Sequence, residues 1–390
     1  MSDAITRSSK HRLAVLTNII APYRLPVYEG LAGRFQTWVI TSGDEDNRRW
    51  GDELSASGFV VKRAWGVTIK RRVRGKDGSV SDLRYTHINP GFLTDLIRLR
   101  PDAVLSIEMG VRSLIAITYG ALFGKPVWIW WGGTLHTERA VPFYKRIIRK
   151  LFARANCRWI SYGETSTEYL ESIGVERGRI LQIQNCVDDR LFHQDGPVYP
   201  LDLPHPRVLV VGQLIERKGI YPLLEAVARV QREGYRFSLV VVGDGPERTR
   251  FLERARHLGV TGLHYIPWVS QSTMPSLYRS CDLMVFPTFE DVWGLVVNEA
   301  LLCGLPVLSS IYAGCAQELL PPSNRFDPLQ SDQFVDALRR GLEGRIAPPD
   351  VSRIRPTEAV IQMIADAVSA ELVSRHAKSP TDGTSSRGWE

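Results

Sequence analysis

Three carboxylates, Glu290, Asp291 and Glu299, interrupt the apolar run FEDVWGLVVNEALLCGLPVLSS at residues 289–310. The segment before it, DLMVFPT, reads as a buried strand, and Val296 to Cys303 has the spacing of a short buried helix leading into a second strand, LPVLSS. Trp293, Gly294 and Leu295 then stand at a helix amino terminus, where free N–H groups and the positive end of the helix dipole suit an anionic or polyhydroxylated ligand. Glycine at that point lets a ligand approach the backbone. Asp291 and Glu299 are separated by seven residues, which puts one carboxylate in the loop and the other one to two turns along the helix, on an apolar face. An unpaired buried carboxylate is costly. Glu299 therefore wants a partner: a core arginine or lysine, or a sugar or ribose diol whose two hydroxyls donate to one carboxylate.

A second candidate lies upstream, in VVGQLIERKGI at residues 210–220. A strand ends at Gly212, a loop carries Gln213, Arg217 and Lys218, and Gly219 allows a tight turn before a helix begins near Tyr221. Cations on a loop at the carboxyl end of a parallel strand are placed to meet phosphates, although a lone Lys-Gly pair is equally a solvated loop. In LVVVGDGPERTRFL another strand runs into Gly243, Asp244, Gly245 and Pro246 and then a helix, a Rossmann-like layout in which the glycines also serve the turn.

These loops need strands to hold them. RLAVLTNII, TWVIT, AVLSI, PVWIWW and CRWISYG alternate with helical segments in the first half, and PRVLVVGQL, SLVVVGDG, LHYIPWV, DLMVFPT and LPVLSS do so in the second. A chain of 390 residues accommodates two domains. The expectation is an α/β protein of two Rossmann-like, doubly wound parallel-sheet domains facing across a cleft. Residues 1–195 form the first domain and 196–350 the second. A carboxyl-terminal helix at 351–376 packs back on the first domain, and 377–390 is a disordered tail. The proline-rich DGPVYPLDLPHP at 195–206 is the linker.

Composition narrows the class. Hydrophobic residues at 44% and charged residues at 23% are those of a soluble globular protein. The apolar stretch at residues 113–124 falls well short of the ~20 residues of a membrane span, and the amino terminus reads as a first strand, not a signal peptide. Five cysteines with no CxxC pair argue against disulfides or a zinc site and for the cytoplasm. The net charge of +7 is uneven: residues 1–195 hold 29 Lys+Arg against 20 Asp+Glu, and the remainder 20 against 22. A basic first half suits an anionic surface, and within it YKRIIRKLFARA at 144–155 is a basic amphipathic helix that either packs its apolar stripe on its own sheet or lies on anionic lipid. No nucleic-acid-binding module is recognisable.

Taken in order, GQLIERKG, GDGP, PWVS, LYRSCDLMVFPT and EDVWGLVVNEALLCGLPVL resemble the donor-binding domain of the retaining nucleotide-sugar glycosyltransferases of family 4, which have the GT-B fold. TNIIAPYRLPVYEGLA resembles the opening of members that build bacterial polysaccharide and lipopolysaccharide. The resemblance implies that Asp291, or Glu290 beside it, contacts hydroxyls of the transferred sugar and that Glu299 holds the ribose. It further implies that amides near Trp293, Gly294 and Leu295 hold the sugar and phosphates and that Val269 lies where the base sits. The family's phosphate loop carries an arginine where this chain has Gln213, so Lys218 bears more of the diphosphate charge, with Arg217 or Arg24 in support. Arg24 either reaches the cleft or caps the next helix from the surface. His136 stands a few residues beyond Gly132 and Gly133, where relatives have a His-Asp pair, and is the candidate on the acceptor side; the alternative is an exposed loop histidine.

The implied activity is transfer of a hexose-type sugar, with retention of configuration, from a UDP- or GDP-sugar to a saccharide acceptor, lipid-linked, in polysaccharide or lipopolysaccharide synthesis. The donor is a substrate, and no cofactor or metal is expected. An anionic membrane surface is a further expected partner, with the enzyme cytoplasmic or peripheral on the inner face of the plasma membrane. Two rivals are a nucleotide-sugar epimerase of the same fold and a non-catalytic nucleotide or polyanion binder.

Overall fold

A computed structural model describes residues 10–43, 58–74 and 80–378. Its strands are β1 (Arg12–Thr17), β2 (Gln36–Thr41), β3 (Val60–Arg63), β4 (Val67–Arg74), β5 (Val80–Ile88), β6 (Ala103–Ile107), β7 (Val127–Trp131), β8 (Arg158–Ser161) and β9 (Ile180–Gln182) in the first half. The second half contributes β10 (Arg207–Val211), β11 (Ser238–Val242), β12 (Leu263–Ile266), β13 (Leu283–Phe286), β14 (Val307–Ser310) and β15 (Arg325–Phe326). Between them run α1 (Leu25–Arg34), α2 (Gly91–Leu99), α3 (Val111–Phe123), α4 (Phe143–Arg154), α5 (Glu164–Ser172), α6 (Ile220–Arg232), α7 (Arg248–His257), α8 (Met274–Arg279), α9 (Leu295–Leu302), α10 (Ala316–Leu319), α11 (Ser331–Leu342) and α12 (Thr357–Lys378).

One parallel sheet has the order β3-β2-β1-β6-β7-β8-β9 and the other β12-β11-β10-β13-β14-β15. Each order reverses once, between β1 and β6 and between β10 and β13, which is the doubly wound arrangement the alternation of strands and helices predicts. β6, β7 and β11 are buried along their whole length, as strands covered by helices on both faces must be, and this is why they read as unbroken apolar runs. The largest core cluster joins the two domains, with Trp130 and Tyr162 of the first beside Trp293, Cys315 and Ala316 of the second.

After β15 and α11 the chain crosses back. Gln184 holds this crossing, donating to the Arg353 carbonyl at 3.0 Å and accepting from the Arg355 N–H at 2.7 Å. α12 then lies on α1, so close that a Cβ on Gly30 would be 2.5 Å from the Ile361 side chain, and Arg158 pairs with Glu371 at 3.0 Å. The helix begins just after Pro356 rather than at 351 and continues through residue 378, two residues into the expected tail; 379–390 lie outside the described residues. Among the described residues no helix is long and apolar enough to cross a membrane.

The edge strands β3, β9 and β15, the one-turn helix α10, the pair β4 and β5, and helix α11 have no counterpart among the expected elements. β4 and β5 form a separate antiparallel ribbon, and its mixture of charged and apolar residues obscures the period-2 signal. α11 buries Phe334, Val335, Ala337 and Leu338 against the second sheet, a helical spacing that residues 331–342 do carry.

Candidate functional site

The loops leaving the carboxyl ends of β10 and β13 meet where the order of the second sheet reverses, the position at which doubly wound sheets seat ligands. A short 3-10 turn, Glu216–Lys218, ends at Gly219 with φ of 69°, and a Cβ there would lie 1.9 Å from the Pro287 carbonyl oxygen. Glycine is therefore what allows the cationic turn to press against the β13 loop. Across this contact Lys218 Nζ is 2.5 Å from Asp291 Oδ2, and the Trp293 N–H donates to Asp291 Oδ1 at 3.2 Å. Arg217 Nη1 donates to the Glu290 carbonyl at 2.8 Å. Burial opposes ionisation of Asp291, but Lys218, the hydrogen bonds and Arg217 outweigh it and hold the carboxyl below its ordinary range. Asp291 is thus a carboxylate at neutral pH, matched by one ammonium. Of the two neighbouring acids it is Asp291 that meets Lys218.

Helix α9 starts at Leu295 behind Gly294, whose φ of 101° turns the chain into the helix with no side-chain cap. Glu299 follows within the second turn. Its Oε2 accepts from the Tyr278 hydroxyl at 2.6 Å, so its partner is a tyrosine and not the core arginine or lysine that its position allowed. Burial pushes the Glu299 carboxyl up to about 7, and the Tyr278 hydrogen bond offsets only part of that rise.

Trp293 points elsewhere. Its indole is 1% exposed, donates to Asn298 Oδ1 at 2.9 Å, and fills the domain junction so tightly that a Cβ on Gly163 would meet its ring at 2.5 Å. At the ligand edge of the loop, Trp293 therefore offers only backbone, with its N–H already given to Asp291. Gln213 is exposed. Gly243 lies where a Cβ would be 2.0 Å from the Gly212 carbonyl oxygen, so the β10 and β11 loops touch there. Val269 packs against the core, and Trp268 before it is 65% exposed.

The first domain reaches this loop through the segment after β7. His136 Nε2 is 2.8 Å from the Phe289 carbonyl oxygen and its ring stacks on Tyr312 with centroids 4.3 Å apart. A carbonyl only accepts, so this geometry assigns the proton to Nε2. Arg139 Nη1 pairs with Glu290 Oε2 at 3.0 Å. His136 and Glu290 thus hold the two domains together at the rim of the cleft, with Glu290 tied to Arg139 and Asp291 to Lys218.

Arg24 matches neither of its two expected placements. It is 3% exposed, with its guanidinium 4.1 Å from the Trp130 ring centroid and 4.9 Å from that of Tyr162. Among the described residues neither Nη has a hydrogen-bond partner. Burial alone would lower its pKa, but Tyr162, Tyr23 and Tyr28 more than reverse that, and the group stays charged. The flat cation fills an aromatic cage beneath the first sheet's carboxyl edge.

Sequence reasoning missed Tyr278, Tyr312 and Arg139. Tyr278 sits inside LYRSCDLMVFPT, and Arg139 follows His136 by three residues, yet nothing local to either reveals a partner 21 or 151 positions away. Among the described residues no group of three or more His, Cys, Asp or Glu is placed to hold a metal ion.

Residues 196–355 match the family model "Glycosyl transferases group 1". D-inositol 3-phosphate glycosyltransferase of Salinispora tropica is 33% identical over 126 residues, 29% of this chain and 26% of that protein. The chain spans about a quarter of the length of the first curated relatives it matches. Likeness to solved structures is longer. The lipopolysaccharide outer core galactosyltransferase WaaB, in its apo form, superimposes with a TM-score of 0.67 at 16% identity over 92% of this chain and 99% of that one. Anabaena Alr3699/HepE, in complex with UDP-glucose, does so with a TM-score of 0.66 at 15% identity over 94% and 100%. At such identities the likeness is one of fold. The chain therefore has the GT-B fold, and its second domain matches the group 1 glycosyl transferases.

Proposed function

We propose that this protein is a family 4 glycosyltransferase that moves a sugar, with retention of configuration, from a nucleoside diphosphate sugar to a hydroxyl of a saccharide acceptor. The observation that carries the reading is the Lys218–Asp291 pair, held at 2.5 Å on the two switch-point loops in front of α9. Each member has a use for a sugar nucleotide. The diphosphate takes the Lys218 ammonium, and a sugar hydroxyl takes its place on Asp291. Glu299, already partnered by Tyr278, accepts from the ribose diol. As the glycosidic bond opens, negative charge grows on the departing diphosphate, where Lys218, Arg217 and the amides of Gly294 and Leu295 stabilise it. In this reading the cationic loop does the work a metal ion would otherwise do. The acceptor hydroxyl attacks from the face the diphosphate leaves, giving its proton to a diphosphate oxygen, and this accounts for retention without a protein nucleophile.

The UDP-glucose complex of the structurally similar HepE supports a UDP-sugar over a GDP-sugar. Likeness to WaaB supports a lipid-linked saccharide acceptor in lipopolysaccharide or polysaccharide synthesis. Five buried, unpaired cysteines support a reducing, cytoplasmic setting.

A thermal-shift series with UDP, GDP, ADP and their sugar conjugates tests the donor site, because a ligand of the folded state stabilises by about 2.7 kcal/mol at a hundred times its Kd. We expect UDP and a UDP-sugar to shift the wild type, and Lys218→Ala and Glu299→Ala each to weaken that shift. The reading fails if both folded variants bind the nucleotide sugar as the wild type does.

A further inference from the structure

Helix α4 turns its apolar side outward. Phe152 and Ala153 are buried, and Arg149 is held against Glu138 and the Trp131 ring. Phe143, Tyr144, Ile147, Ile148 and Leu151 are 46–75% exposed. At about 100° per residue, these five fall on one arc of roughly 140° that faces away from the packed side. Arg146 and Lys150 border the arc on one edge and Lys145 on the other, Arg154 closes its carboxyl end, and the helix contains no acidic residue. Apolar residues scattered singly over a surface need no explanation, but a contiguous row does. α3 packs into the same core cluster as α4 and likewise leaves Leu114, Leu122 and Phe123 at least 50% exposed. The packing of α4 thus rules out the plainer sequence expectation that its apolar stripe covers its own sheet.

We infer that this face of α4 docks on an anionic phospholipid bilayer, with the apolar arc in the acyl boundary and the lysines and arginines among the headgroups. Charge selects this occupant. The helix is purely basic, in the half of the chain that carries a charge of +9, from 29 Lys+Arg against 20 Asp+Glu. A second copy in a two-fold contact would bring the same cations face to face. The placement also ties the surface to the cleft: Glu138, bonded to Arg149 of α4, lies between His136 and Arg139, which hold the 289–290 loop. Docking through α4 would therefore set the rim of the cleft close to the bilayer, where a lipid-linked acceptor is anchored. The inference deepens that acceptor reading but is measured without any sugar nucleotide, so the two can fail separately.

The test is cosedimentation of the full chain with vesicles of phosphatidylcholine alone and with about 30% phosphatidylglycerol. We expect binding at least tenfold tighter to the anionic vesicles. Lys145→Gln and Lys150→Gln should each weaken it by about fivefold, and the exposed double substitution Ile147→Glu with Leu151→Glu should reduce it at least tenfold. All variants should keep the wild-type response to UDP in thermal shift. The inference is overturned by equal binding to both vesicle types, by no binding, or by variants that bind as the wild type does. It is overturned equally if the chain is a dimer that Ile147→Glu makes monomeric while neither form binds anionic vesicles.

Discussion

Glu299→Gln removes a charge that the folded chain holds against its burial. The carboxyl titrates at about 7 in the folded protein against an ordinary 4.5. Between those values the folded state keeps a proton that the unfolded state has lost, so stability falls as pH rises through the window and levels off above 7. At about 1.36 kcal/mol per unit, ionised Glu299 costs the fold about 3 kcal/mol at pH 8 and under about 1 kcal/mol at pH 5. Glutamine nearly keeps the volume and retains an oxygen to accept from Tyr278 Oη, so no buried hydroxyl is orphaned. Urea unfolding of wild type and Glu299→Gln at both pH values is the assay. We expect the variant to be more stable by about 3 kcal/mol at pH 8 and nearly unchanged at pH 5. A gain of equal size at both pH values, or a loss at pH 8, would refute the argument that burial of this carboxylate is a cost retained for ligand binding. The same substitution should weaken UDP-sugar binding at pH 8, and the combination of greater stability with poorer binding is what separates a binding group from a structural one.

Two further predictions follow from the packing. Gly219→Ala, at φ of 69° and with a Cβ 1.9 Å from the Pro287 carbonyl oxygen, should cost about 1–3 kcal/mol and, by displacing Lys218, lower UDP affinity by at least tenfold in calorimetry; wild-type affinity in this variant would show that the turn does not position the lysine. Arg24→Lys replaces a flat cation stacked between rings with a compact ammonium and should destabilise by about 1–2 kcal/mol in urea unfolding, whereas a neutral result would remove the aromatic cage as the reason arginine is tolerated there.

Arg24 and α4 show why parts of the site could not be read in advance. An arginine after a first strand looks the same in one dimension whether it caps a helix, meets a phosphate or sits against Trp130 and Tyr162, because those rings come from β7 and the residue after β8, more than a hundred residues away. The helical period of residues 144–155 establishes that α4 has an apolar stripe, yet it says nothing about which way the helix is rolled on the sheet. That roll is set by Phe152, Ala153 and the Arg149–Glu138 pair. α11 differs from both, since the helical spacing of Phe334, Val335, Ala337 and Leu338 is present in the chain itself.

By itself the sequence determined the doubly wound character of the two sheets, their central strands and the loops that carry Lys218, Asp291 and Glu299. These follow from local causes: unbroken apolar runs make buried parallel strands, and glycines such as Gly219 and Gly294 permit backbone turns that other residues resist. Only the tertiary structure decided how those groups are partnered. Lys218 meets Asp291 across 73 residues and His136 meets Phe289 across 153, and such pairings depend on how strands are ordered in a sheet and how two domains face each other. The distances, the burial that raises Glu299 and the outward face of α4 exist only once that packing is complete.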